Sequence, residues 1–157
     1  MATLTIHVES IHSSGARSLL YAAQDELRRR YGHEDDAPSL LNDELAPPQG
    51  VFLVARWDMH LAGGVGLRSI SDPAHHRGEI KRLWVRPDLR RRGVAAALMT
   101  AIEDHARSTG YRQLYLETGW AQPEAQALYP RTGWTSVAAF PPDAPCHPNS
   151  YRFFKML

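Results

Sequence analysis

The chain has 157 residues, 43% hydrophobic and 22% charged, with a formal net charge of +1 and one cysteine, Cys146. That length suits a single domain, 1–157, which can bury a core without staples, and one cysteine excludes an intramolecular disulfide. A net charge near zero argues against the whole molecule being a polyanion binder; no apolar run reaches membrane-spanning length and residues 1–20 lack signal-peptide character, so the expectation is a cytoplasmic protein with no membrane partner.

Thr3 to Val8 alternates Leu4, Ile6 and Val8 with polar residues, a strand signal. Leu19, Leu20, Ala23, Leu27 and Tyr31 recur at helical spacing, so 14–31 reads as an amphipathic helix ending near Gly32. Its Arg28-Arg29-Arg30 run reads as a solvated helix end. Residues 33–49, acidic and proline-containing, read as a loop with room for a short helix. Val51 to Trp57 and Leu61 to Ile70 are β-rich and joined by Asp58-Met59-His60 as a hairpin.

After the polar stretch Ser71 to Gly78, a third such run extends from Glu79 to Val85. Arg91 to Thr109 carries Val94, Ala97, Leu98, Ala101 and Ile102 on one helical face, closed by Gly110. A strand (Arg112 to Thr118), a helix (Pro123 to Arg131), a strand from Trp134 and a last strand (Tyr151 to Met156) complete the chain. Hairpins first and alternation later imply an α/β (α+β) fold on a mixed sheet.

The most informative segment is Leu83-Trp84-Val85 followed by Arg90-Arg91-Arg92-Gly93-Val94-Ala95-Ala96. A strand enters a tight turn and a helix follows, so unpaired backbone N–H groups and a partial positive charge meet at one point. That combination suits a pyrophosphate. Gly93 and Ala95 allow close approach to the backbone, and the arginines add cationic donors.

This pattern resembles the GNAT superfamily (Gcn5-related N-acetyltransferases), whose signature Arg/Gln-x-x-Gly-x-Gly/Ala is matched by Arg90-x-x-Gly93-x-Ala95. The likeness extends to Leu116-Glu117-Thr118-Gly119 and to Ala125-x-x-Leu128-Tyr129-x-x-x-Gly133-Trp134, and in detail covers about 79–134. The resemblance implies a mostly antiparallel sheet of about seven strands, splayed between strands 4 and 5 and flanked by about four helices. It also implies acetyl-CoA as co-substrate, its pantetheine arm on Leu83, Trp84 and Val85 and its pyrophosphate on Arg90, Arg91, Arg92, Gly93, Val94, Ala95 and Ala96. Gln122 stands where many members carry an asparagine that contacts the cofactor. Members often dimerise, which leaves a homodimer open.

By the same resemblance Tyr129 aligns with the general acid, a phenol that protonates the departing thiolate. Amine acylation also needs a proton acceptor. Glu79 lies eleven positions before Arg90, as in the histone acetyltransferase branch; Glu117 lies twelve before Tyr129, as in the ribosomal-protein alanine acetyltransferases. Both remain candidates, with Glu79 favoured as a charge opening an apolar strand; ion pairing with Lys81, Arg82 or Arg112 is the alternative for each.

The function implied is transfer of an acetyl group to a primary amine of a small molecule or peptide in a ternary complex. Two alternatives are a CoA-binding sensor with little turnover and a nucleic-acid module using the arginine runs; the low net charge counts against nucleic acid as a partner. The adjacent pair His75-His76 lacks ligand-spaced partners, so no metal is expected. Cys146 has no nucleophile's surroundings. Ser71 to Arg77 and Phe140 to Asn149 are candidate acceptor-site loops. Trp57, Trp84, Trp120 and Trp134 read as core or cleft-wall residues.

Overall fold

A computed structural model describes residues 1–32 and 43–157. Seven strands form one sheet: β1 (Leu4–Val8), β2 (Val51–Trp57), β3 (His60–Ile70), β4 (Arg77–Val85), β5 (Gln113–Thr118), β6 (Thr135–Val137) and β7 (Tyr151–Met156). Their order is β1-β2-β3-β4-β5-β7-β6, and only the β4–β5 contact is parallel. Three α-helices are present among the described residues, α1 (Ser14–Tyr31), α2 (Val94–Ser108) and α3 (Pro123–Arg131), against an expectation of about four. The expected loop at 33–49 lies partly outside the described residues; Asp43–Leu45 forms one turn of 3-10 helix.

Local chemistry accounts for the helix limits. The Ser13 side chain accepts from the Ala16 N–H at the start of α1, and Gly32 ends it in the left-handed region at φ 72°. α2 begins three residues later than the expected Arg91. Arg91 and Gly93 adopt φ of 62° and 82°, which no helix tolerates, so the arginines lie in the turn rather than in the helix.

Alternation along β2 builds a layer on each sheet face. Phe52 and Val54 pack with Leu19 and Leu20 of α1; Val51, Leu53 and Ala55 pack with Leu98, Met99 and Ile102 of α2. Complete burial of a residue such as Leu98 is worth about 1.5–3 kcal/mol.

Strand β4 starts two residues earlier than expected, at Arg77, so Glu79 is its third residue rather than its opening one. β4 also carries a bulge. Gly64 lies opposite Trp84 and Gly66 opposite Lys81, so Arg82 and Leu83 together face Val65, and Arg82 takes φ 62°. The extra residue reverses the alternation. Ile80 points into the α2 layer, yet Leu83 and Val85 do too, while Trp84 joins the α1 layer.

β4 and β5 pair only at Arg77↔Gln113, Gly78↔Leu114 and Glu79↔Tyr115. Beyond that register β4 continues to Val85 and β5 to Thr118 without pairing to each other. The sheet is therefore split between its fourth and fifth strands.

Candidate active site

The turn after β4 is braced before it opens. Arg86 holds Asp88 through two hydrogen bonds of 2.7 and 2.6 Å and donates to the Leu61 carbonyl at 3.0 Å. Arg91 and Gly93 then adopt left-handed backbone on either side of Arg92, which does not. Alternating hand turns successive N–H groups toward one concave side. The first helical hydrogen bond is made by Ala97 N–H to the Gly93 carbonyl, 3.0 Å, so the N–H groups of Val94, Ala95 and Ala96 have no partner within α2.

Val94 is buried and anchors this helix start, while Arg91, Arg92, Gly93 and Ala96 are exposed around it. A Cβ on Gly93 would meet no protein atom within 4 Å, so within the protein itself glycine is required there for its φ of 82°. The Arg92 guanidinium lies 5.7 Å from the Trp57 ring centroid. Backbone donors, a helix N-terminus and two exposed arginines make this concavity suited to an anion.

Arg90 is oriented differently. Its guanidinium bonds both Glu26 oxygens (2.9 and 2.7 Å) and the Val85 carbonyl (2.8 Å), 5.9 Å from the Trp84 ring centroid. Trp84 donates its indole N–H to the same Glu26 carboxylate at 2.7 Å. Burial raises the Glu26 pKa, but the hydrogen bonds from Arg90 and Trp84 outweigh it and the carboxyl lies below its ordinary value.

Between the lips of the split, the β4 edge from Ile80 to Val85 and the β5 edge beyond Tyr115 present backbone groups with no strand between them. Leu83, Trp84 and Val85 thus line one wall. Gln122 stands on the other, just before α3. Its Oε1 accepts from the Tyr31 hydroxyl at 3.2 Å and from the Gly119 N–H at 3.3 Å.

Glu79 and Glu117 share one sheet face. Glu79 is 2% exposed and its Oε1 accepts from Arg68 Nε (2.8 Å) and pairs with Nη2 (2.7 Å), while Arg68 reaches Glu44 at 3.0 Å. Burial raises the Glu79 pKa; Lys81 and Arg68 pull it down without cancelling that rise, and Glu117 adds to it. Glu117 is half-buried, and its Oε2 accepts from the His147 N–H (2.9 Å) and the Ser150 hydroxyl (2.7 Å). The loop from 140 to 149 is thereby attached to the face of the two carboxylates. Ser71 and His75 join it through Asp143, at 2.8 and 4.0 Å.

Tyr129 is not beside them. Its ring, 5% exposed, packs against Trp134 and Phe153 (centroids 6.1 and 5.5 Å) with Leu114 and Leu116, on the other face of β5. The hydroxyl has no hydrogen-bond partner among the described residues, and burial raises the phenol pKa well above its ordinary value. The carboxylates and the phenol thus approach the split from opposite faces of the sheet, and the gap beyond Glu79 and Tyr115 is where the two faces meet.

Several residues of this region carry no local signal. Arg30 is no solvated helix end: it pairs with Glu26 and Glu124 and donates to the Ala121 carbonyl at 2.9 Å, whereas Arg28 and Arg29 are exposed. Trp120 is 65% exposed, not buried in core, with its ring edge-on to Tyr31 at 5.5 Å. Thr118 buries a hydroxyl without a partner at the β5 lip. The Glu26–Arg30 spacing is visible in sequence as a helical i,i+4 pair, but its partners on both lips are distant in the chain. Among the described residues no group of three or more His, Cys, Asp or Glu side chains could hold a metal, and no helix is long and apolar enough to cross a membrane.

Comparison with known proteins agrees with this architecture. An IAA acetyltransferase from Azospirillum brasilense is 38% identical over 101 residues, 64% of this chain and 65% of that protein. A GNAT-family acetyltransferase from Staphylococcus aureus superposes with a TM-score of 0.81 at 15% identity, covering 98% of this chain and 99% of that one. The PaiA N-acetyltransferase of Thermoplasma acidophilum, solved with coenzyme A, gives 0.74 at 17% identity over 99% of both chains. The chain spans 38–65% of the length of the curated relatives it matches. The acetyltransferase (GNAT) family profile matches residues 16–134, and with the split sheet and the anion-suited turn after β4 the chain belongs to the GNAT family.

Proposed function

We propose that this protein transfers an acetyl group from acetyl-CoA to a primary amine of a small molecule or peptide, directly and in a ternary complex. The observation that carries the reading is the sheet opened beyond Glu79 and Tyr115, with a concave set of free N–H groups at the end of its β4 lip. A pyrophosphate suits the N–H groups of Val94 to Ala96 with Arg91 and Arg92 beside them. The unpaired β4 edge at Leu83 to Val85 suits the amides of a pantetheine arm, with Gln122 opposite. Arg90 supports that wall through Glu26 and Trp84. The coenzyme A held by the Thermoplasma relative supports the choice of ligand.

In this reading the acceptor amine enters on the face of Glu79 and Glu117. Glu79 takes the ammonium proton, directly or through water; its burial-raised pKa brings it closer to neutral pH, where a base works best. Glu117 adds negative charge that attracts a cationic acceptor. The free amine attacks the thioester carbonyl carbon, the C–N bond forms and the C–S bond breaks. Tyr129, kept protonated by its burial, gives its proton to the departing sulfur; the second proton shed by the nitrogen as the amide forms restores the phenol through solvent, and Glu79 returns its proton to water. The same reading takes residues 1–157 as one cytoplasmic domain.

The test is acetyl-CoA-dependent thiol release over a panel of amines, amino acids and peptides, with CoA binding measured by calorimetry. Amine-dependent turnover that falls in Glu79→Gln more than in Glu117→Gln, with CoA binding intact, is expected. The reverse order would make Glu117 the base. CoA binding without turnover on any acceptor would favour a sensor, and no CoA binding would overturn the reading.

A further inference from the structure

The last residue of α1 reaches across to the β5 lip of the split. The Tyr31 hydroxyl lies over Gly119 so closely that a Cβ at that position would overlap it. Both residues reach the Gln122 carboxamide. The Gly119 N–H can only donate, so the atom it meets at 3.3 Å is the carboxamide oxygen. The phenol, 3.2 Å from the same oxygen, must then donate as well. Both acceptor sites of the oxygen are filled, and both N–H donors of the Gln122 amide are left without a partner among the described residues.

We propose that Tyr31 is a positioning residue that fixes the Gln122 carboxamide as a pure donor for an amide carbonyl of the CoA arm, with Gly119 as the bare seat that lets the phenol reach it. This rests on the function proposed above. A free glutamine side chain would sample several rotamers and both amide orientations; two donors on one oxygen select one. Neighbouring contacts keep the seat in place. Arg30 donates to the Ala121 carbonyl at 2.9 Å and Gln126 to the Gly119 carbonyl at 3.0 Å, while Trp120 meets the Tyr31 ring edge-on. The same end of α1 holds the opposite lip through Glu26, so one helix terminus ties both walls of the split.

The experiment compares Tyr31→Phe, which keeps the ring, with Gly119→Ala, Gln122→Ala and the double variant Tyr31→Phe/Gln122→Ala. CoA affinity is read by calorimetry, KM for acetyl-CoA and for amine by thiol release, and melting temperature by circular dichroism. Loss of one orienting hydrogen bond should weaken CoA binding and raise the acetyl-CoA KM about 3- to 10-fold, with the amine KM within about twofold. Gly119→Ala should reproduce this by displacing the phenol. In the Gln122→Ala background the Tyr31→Phe effect should vanish, which a merely structural role would not produce. Unchanged CoA affinity in Tyr31→Phe, or full additivity with Gln122→Ala, overturns the proposal and leaves the proposed function standing. Wild-type protein that binds no CoA overturns that function, and the role of Tyr31 with it.

Discussion

Removing a single oxygen atom, in Tyr129→Phe, should separate catalysis from stability. The ring keeps its contacts with Trp134 and Phe153, and the hydroxyl that is lost has no partner among the described residues. The hydroxyl is not among the buried side-chain atoms that lack a partner, so no desolvation penalty is relieved and the folded state should change by less than about 1 kcal/mol. In a domain of this size each kcal/mol moves the melting temperature by about 2–4 °C. The expected result is a melting temperature unchanged to within about 2–4 °C. Proton donation by a placed acid contributes about 10²–10⁴-fold, so kcat should fall at least about 100-fold while the acetyl-CoA KM stays level. Because burial holds the phenol protonated, the wild-type rate should show no alkaline decline from this group below about pH 10. Calorimetric melting and steady-state thiol release, run on both proteins, measure these quantities. A kcat within about threefold of wild type would refute the acid assignment. A loss of more than about 4 °C would refute the claim that the hydroxyl is unpaired.

Other perturbations probe the rest of the site. Arg68→Met removes a guanidinium that lowers the Glu79 pKa, leaving burial and Glu117 to raise it and Lys81 alone to oppose them. The carboxyl then stays protonated to higher pH, and the acid limb of kcat/KM should move upward in a pH–rate profile; a downward move would exclude Glu79 as the base. Glu26→Gln breaks charge-assisted bonds to Arg90 at a side chain 17% exposed, a loss of about 1.5–3 kcal/mol that should lower the melting temperature by roughly 3–12 °C. Gly93→Ala meets no protein atom, so its effect on stability is backbone strain at φ 82°, about 1–2 kcal/mol. Scanning calorimetry should register that loss, and titration with CoA should show weaker binding as the N–H groups are re-aimed.

Much of this molecule is legible because the deciding forces are local. Ser13 and Gly32 limit α1 through groups within a turn of themselves, and the apolar periods of β2 and α2 follow from strand and helix geometry. The turn from Arg90 to Ala96 is legible for the same reason, since a glycine at positive φ and a helix start need only their own neighbours. The phase of β4 is another matter. Alternation read from Ile80 would send Trp84 into the α2 layer, and only the pairing with β3, with its bulge at Arg82, sends it to the α1 layer instead.

Side-chain partners across the split are also decided in three dimensions. Sequence placed Arg90 among the phosphate-binding residues, and nothing near it in the chain announces Glu26, 64 positions away, which holds its guanidinium. Sequence read Arg30 as solvated and left Trp120 between core and cleft wall, because a residue's own surroundings in the chain cannot say which lip of a cleft will face it. By itself, then, the sequence determined the elements, their order and the anion-suited turn, all products of short-range hydrogen bonding and hydrophobic period. Only the tertiary structure decided that the end of α1 spans both lips and that the carboxylates and Tyr129 meet the gap from opposite faces, since those depend on register and packing between segments far apart in the chain.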